Sequence, residues 1–196
     1  MQSWQQYFEL SKHGSPSPLL EQTILLTANR EQALDLGAGS LKDSKFLLSM
    51  GFRKVTAIDQ SPEFKNYAKK IPRSSLSLIV RNFQDIKRLP AQKYDLINAS
   101  YSLPFTPEPF LPNLVNQIIK SLRPGGFFCG QFFGPNDGWN KPKTRQNFTF
   151  VDKTTLLGLL SPLKIYHWQE REFDGKTIDG KAKHWHIFDI IIQRNQ

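Results

Sequence analysis

A chain of 196 residues, 39% hydrophobic and 22% charged, has the make-up of one globular domain, long enough to bury a substantial core and too short to imply a second. Its formal charge of +9 favours an anionic substrate or nucleic acid, but the cations are scattered, with short clusters only at 141–145 and 181–183. No run approaches the roughly 18 apolar residues of a membrane helix, Met1-Gln2-Ser3-Trp4 opens no signal peptide, and the single cysteine excludes an internal disulfide, so a cytoplasmic protein without a membrane partner is expected.

In chain order, residues 3–10 pattern as a short amphipathic helix with Trp4, Tyr7 and Phe8 on one side. Ser15-Pro16-Ser17-Pro18 breaks it, and Ser17 caps a second helix that runs to about residue 28 with Pro18 in its first position. Residues 1–30 thus form a helical cap and 31–196 a sheet core, within one domain. Gln32–Leu36 is a buried strand that runs into Gly37-Ala38-Gly39-Ser40 and a helix over 43–50. Lys54–Asp59 is the second strand, followed by a helix that starts at Ser61-Pro62-Glu63; Leu76–Val80 and Tyr94–Ala99 are the third and fourth. A helix over 110–122 ends at Arg123-Pro124-Gly125-Gly126, which turns into a fifth strand to Phe133, where Cys129 is a small buried hydrophobe. A helix over 154–160, a strand over 163–173, a turn at Asp174-Gly175-Lys176 and a strand over 184–193 complete the chain. The alternation implies an α/β, Rossmann-like, doubly wound seven-stranded sheet, mostly parallel. With a short loop and no helix before it, the last strand is antiparallel.

A strand that ends in a glycine-pinched turn lets the main chain approach a ligand at the carboxyl edge of such a sheet. A dinucleotide fingerprint needs its third glycine where this chain has Lys42, which opposes a nicotinamide-dependent oxidoreductase. Asp59 ends the second strand 20 residues after Gly39, where a carboxylate accepts both hydroxyls of a ribose.

The pattern Asp35-x-Gly37-x-Gly39 resembles the first motif of class I S-adenosylmethionine-dependent methyltransferases, with the family's usual third glycine falling on Leu41. The resemblance extends over residues 32–194, through the Pro-Gly-Gly before strand five and the reversed last strand, and is similar in outline to small-molecule enzymes of the tellurite-resistance group. It implies S-adenosylmethionine as cofactor and S-adenosylhomocysteine as product. Asp35 and Asn98 would then serve the methionine end, Gly37 and Gly39 admit ribose and methionine, Asp59 hold the ribose, Gln60 bind the cofactor beside it, and Asn82 and Phe83 meet the adenine. Ala99 and Ser100 stand where amino-methylating nucleic-acid enzymes carry two prolines, which disfavours DNA adenine methylation. The acceptor side falls to Tyr101, Trp139, His184 and His186, the histidines serving as proton acceptors or orienting groups, or merely packing the rim. Two histidines lack the further ligands of a zinc site, so no metal is expected. A small-molecule acceptor is favoured, with RNA next; a methyltransferase-fold protein that binds cofactor without catalysis stays open beside them.

Overall fold

The computed structural model describes residues 4–69, 71–144, 147–161 and 163–195; Met1, Gln2 and Ser3, and Arg145 of the basic cluster, lie outside the described residues. Two helices, α1 (Trp4–Ser11) and α2 (Pro18–Leu26), precede β1 (Gln32–Leu36), α3 (Lys42–Ser49), β2 (Lys54–Asp59), β3 (Leu76–Val80), β4 (Tyr94–Ala99), α4 (Leu111–Ser121), β5 (Leu122–Phe133), α5 (Lys153–Leu160), β6 (Lys164–Lys176) and β7 (Ala182–Gln193). The strands form one seven-stranded sheet in the order β3-β2-β1-β4-β5-β7-β6. All neighbours pair in parallel except β7, which lies antiparallel between β5 and β6. This is the expected doubly wound sheet with a reversed last strand.

Burial on both faces explains the near-continuous apolar runs of the inner strands. One core packs Leu34, Leu36, Ile97, Phe128 and Phe132 against α4 and α5 residues such as Ile118 and Leu156. The other sets Ala33, Val55, Leu96 and Cys129 against Phe8, Leu20, Ile24 and Leu47 from the first three helices. Cys129 is fully enclosed, and burial pushes its thiol up to about 12, so it acts as a small apolar side chain.

Four local expectations are corrected. After β2 the chain forms a 3-10 helix, Pro62–Ala68, rather than an α-helix. The Arg123-Pro124-Gly125-Gly126 turn lies inside β5 as a bulge: Tyr94 pairs with Leu122 and Leu96 with Phe127, so the extra residues loop out while the strand continues. Asp174, Gly175 and Lys176 are strand, not turn, and β7 begins at Ala182 rather than His184. The reversal falls on 177–181, where Thr177 N–H reaches Lys181 O at 2.8 Å and Gly180 takes φ +82°. The last β5–β7 pair is Phe133 with Ile187, whereas β6–β7 pairing runs on to Lys176 with Ala182. The end of this hairpin therefore overhangs the carboxyl edge of the sheet.

Candidate functional site

The loop after β1 is fixed by main-chain bonds: Gly37 N–H and Ala38 N–H both donate to Ile58 O of β2, at 2.8 and 3.1 Å. Gly37 takes φ +74°, and a Cβ there would overlap the Ser102 Cβ. Ser102 cannot retreat freely, because its Oγ donates to Leu36 O at 2.6 Å. Leu41, at the position of the missing third glycine, adopts φ +61° and ψ +19° and caps α3. The turn thus keeps a glycine-like geometry with a leucine. The left-handed backbone costs about 1–2 kcal/mol, offset by roughly 2 kcal/mol from enclosing a fully buried side chain.

Below this loop lies a cluster of acids. Asp35 is buried and turned inward, accepting from Ser44 Oγ at 2.6 Å and Asn98 Nδ2 at 2.8 Å. The same Asn98 amide reaches Asp43 Oδ2 at 3.5 Å, and Asp43 also accepts from Ser17 N–H at 3.0 Å and Lys42 Nζ at 3.2 Å. Burial and the neighbouring Asp43 charge push the Asp35 carboxyl up to about 7, against the pull of Ser44 and Asn98. A carboxyl whose folded pKa is raised contributes stability that is complete below its unfolded value near 4 and is lost as pH rises through about 7. Urea unfolding of the ligand-free protein is therefore expected to show stability falling between pH 4 and 7, with a slope that Asp35→Asn reduces; an identical slope in both proteins would refute the assignment.

Asp59 ends β2 with its carboxylate drawn back to the loop: Oδ2 accepts Gly39 N–H and Oδ1 accepts Ser61 N–H, both at 2.9 Å. Burial raises its pKa while these bonds oppose the rise. Each oxygen keeps a lone pair for a further donor. Gln60 is exposed beside it. Phe83 packs 3.6 Å from the space over Gly37, whereas Asn82 is exposed and begins the 3-10 turn Phe83–Asp85 without a side-chain capping bond.

Helix α1 lies across these groups. The Phe8 ring stands 3.3 Å from where a Gly39 Cβ would be, and Ser11 Oγ donates to Ser40 Oγ at 3.0 Å. The Tyr7 pKa is raised first by burial, then by the charges of Asp43 and Asp59 and by Tyr101. On this helix Phe8 is core, and Tyr7 packs partly buried against the same cluster.

The neighbouring wall comes from β4, β5 and the overhanging hairpin. Tyr101 takes φ +49°, its N–H donating to Gln131 Oε1 at 3.0 Å. Gln131 Nε2 donates to Asp189, which also accepts from Arg171 Nε, and Arg171 Nη2 reaches Tyr101 Oη at 3.3 Å. Trp185 meets Tyr101 edge to face at 6.4 Å. Alternation along β7 sends His184 and His186 to the opposite face. There His184 bonds Asp174 and Glu172, which raises its pKa, and His186 accepts Asn136 N–H at 3.1 Å while its other nitrogen meets Glu170 at 3.0 Å. His186 also seats on Gly134, where a Cβ would lie 2.5 Å from the ring. The structure thus gathers Asp35, Gly37, Gly39, Asp59, Phe83, Asn98 and Tyr101 at one edge and separates the two histidines from Tyr101.

Three participants escape sequence reasoning. Asp43 shares Asn98 with Asp35, although its place one residue into the helix after the glycines was a usable signal. Lys183 and Asp137 form a buried ion pair at 2.7 Å, side chains 1% and 0% exposed. The Lys183 ammonium is boxed by the rings of Trp185, Trp139 and Phe133, at 3.3, 4.2 and 4.4 Å from their centroids. Trp139, expected at the acceptor, is one wall of that box and stacks on Phe148. Among the described residues no group of three His, Cys, Asp or Glu side chains is placed to hold a metal ion, and no helix is long and apolar enough to cross a membrane.

A family model described as a methyltransferase domain matches residues 33–126, the segment that runs from β1 to the start of β5 proper. No curated protein sequence matches. Among solved structures the chain is similar to an S-adenosylmethionine-dependent methyltransferase from Methanosarcina mazei, at 20% identity over 92% of this chain and 99% of that one, with a TM-score of 0.67. It is also similar to TehB from Haemophilus influenzae, at 15% identity and TM-score 0.73, covering 90% of this chain and 61% of that one. A third is a 1,6-didemethyltoxoflavin-N1-methyltransferase from Burkholderia thailandensis, solved with its acceptor and S-adenosylhomocysteine, at 14% identity over 100% of this chain and 92% of that one, with a TM-score of 0.68. These likenesses establish the class I methyltransferase fold.

Proposed function

We propose, on the premise that residues 33–126 match the methyltransferase-domain family inside a class I methyltransferase fold, that the chain is an S-adenosylmethionine-dependent methyltransferase acting on a small molecule. The observation that carries this reading is the bond between Gly39 N–H and the Asp59 carboxylate, which ties the glycine turn and the acid of the second strand into one cradle.

The residues present suit that cofactor. Asp59 has lone pairs for two ribose hydroxyls, the bare Gly37 leaves the main chain open, and Phe83 offers an apolar surface to the adenine. The buried Asp35 and Asp43 supply negative charge under the methionine end, where an ammonium belongs. A sulfonium supplies a methyl that is already electrophilic, so the protein's work is to align the acceptor lone pair and keep water out. Tyr7 and Tyr101 are the groups we assign to orienting the acceptor. We assign no such part to His184 and His186, which carry carboxylate partners on the other face of the hairpin. An acceptor with a flat ring fits the aromatic pair Tyr101 and Trp185, and the Burkholderia neighbour, solved with 1,6-didemethyltoxoflavin bound, gives this support by analogy. RNA rests on the net charge alone.

Calorimetric titration tests the reading. S-adenosylmethionine and S-adenosylhomocysteine are expected to bind and NADH is not; the reverse result would sink the proposal. Asp59→Ala is expected to weaken S-adenosylhomocysteine binding at least about 100-fold, two charge-assisted hydrogen bonds being worth roughly 1.5–3 kcal/mol each. A thermal unfolding scan of the same variant separates this from loss of fold, and unchanged affinity would remove Asp59 from the site.

A further inference from the structure

We infer that the open face of β2 and β3 is a second binding site, for a small organic anion with an apolar ring or short chain. The crossover from β3 to β4 contains the 3-10 turn Phe83–Asp85 and otherwise non-helical chain, so it lays no α-helix over this part of the sheet. What is left is a cleft of about 190 Å³, floored by Thr56, Ile58, Ile79 and Tyr94 and walled by Leu89. Ile79 on its floor is 36% exposed, a large apolar side chain left uncovered on a strand.

Charge completes the argument. Arg81, Arg88 and Lys93 line the cleft, and among the described residues no carboxylate does. Among the described residues the side chains of Arg81 and Arg88 have no hydrogen bond or ion pair, and Lys93 only leans over the Tyr94 ring at 5.2 Å. Cations around an apolar floor select a ligand that brings both an anionic head and an apolar body, because each alone forgoes half of the surface. An engineered apolar cavity of about 150 Å³ accepts benzene, so this volume takes one ring or a chain of similar size. Aryl and short-chain acyl carboxylates or phosphates meet these terms. The site lies on the face of the sheet that carries α4 and α5, apart from the cradle at Gly37 and Asp59, and does not depend on the methyltransferase reading.

The test titrates the full chain with benzoate, hexanoate and phenyl phosphate, following the methyl resonances of Ile58, Ile79 and Leu89. Saturable shifts centred on those methyls are expected, with benzyl alcohol and inorganic phosphate each binding at least tenfold more weakly. Arg88→Glu is expected to weaken the anions tenfold or more while leaving benzyl alcohol unchanged; the thermal midpoint confirms that the variant is folded. Absence of saturation, shifts centred elsewhere, or equal binding of benzoate and benzyl alcohol would each overturn the inference. So would phenyl phosphate affinity that Arg88→Glu leaves unaltered.

Discussion

Asp137→Ala is expected to cost about 3–5 kcal/mol of stability, the usual penalty for stranding one member of a buried ion pair. Its carboxylate is fully enclosed and takes Lys183 Nζ at 2.7 Å, Trp139 N–H at 3.0 Å and His186 N–H at 3.4 Å. Burial already pulls the Lys183 ammonium down to about 8 although Asp137 holds it up. Removing the acid leaves a charge inside a box of three aromatic rings, which a cation–π attraction of about 2 kcal/mol only partly compensates. The pair also joins the loop after β5 to the hairpin, so Trp139 and Trp185 should lose their fixed environment. Urea unfolding followed by tryptophan fluorescence measures both effects. The double variant Asp137→Leu with Lys183→Met is expected to be more stable than Asp137→Ala, since no charge is then orphaned. A loss below about 1 kcal/mol for Asp137→Ala would mean that Lys183 finds water and the pair is not structural.

Gly37→Ala is expected to abolish cofactor binding, lowering affinity at least 100-fold, and to destabilise the fold by about 2–5 kcal/mol. Two costs add: alanine in a left-handed conformation, about 1–2 kcal/mol, and overpacking against Ser102, about 1–3 kcal/mol. The overlap falls on Ser102 Cβ, and relief requires breaking the Ser102 bond to Leu36 O. Gly51→Ala is the matched control, because Gly51 has φ +92° but nothing within 4 Å of an added Cβ. It should show the backbone cost alone and bind normally. Equal effects in the two variants would show that packing around Gly37 does not matter.

Much of the cradle was legible because its parts are local. A strand, a glycine turn, a helix and a second strand ending in acid form one right-handed unit, so the spacing from Gly39 to Asp59 already implied their meeting. The paired alternation of β7 likewise put His184 and His186 together and Trp185 apart. A period of two cannot say which face meets Tyr101; that was decided by Gly134, which admits the His186 ring, and by Arg171 reaching Tyr101 from the other side. Lys183 and Asp137 are 46 residues apart; the reversed last strand brings its beginning to the loop after strand five, but no motif marks these two residues as the ion pair there. The β5 bulge stayed hidden because a Pro-Gly-Gly run signals a turn equally well outside a strand and within one. The end of the hairpin stayed hidden because Asp174-Gly175-Lys176 is good turn chemistry that the cross-strand partners of β7 override.

Leu41 leaves its position with little freedom to vary. Glycine there would relax the twist and empty the interior beneath it, and a polar residue would keep the twist and bury an unpartnered group. A search that demands glycine at this place passes over the chain, although the bend itself is present. What such a loop inherits is a handedness, and here a hydrocarbon side chain rather than a missing one maintains it.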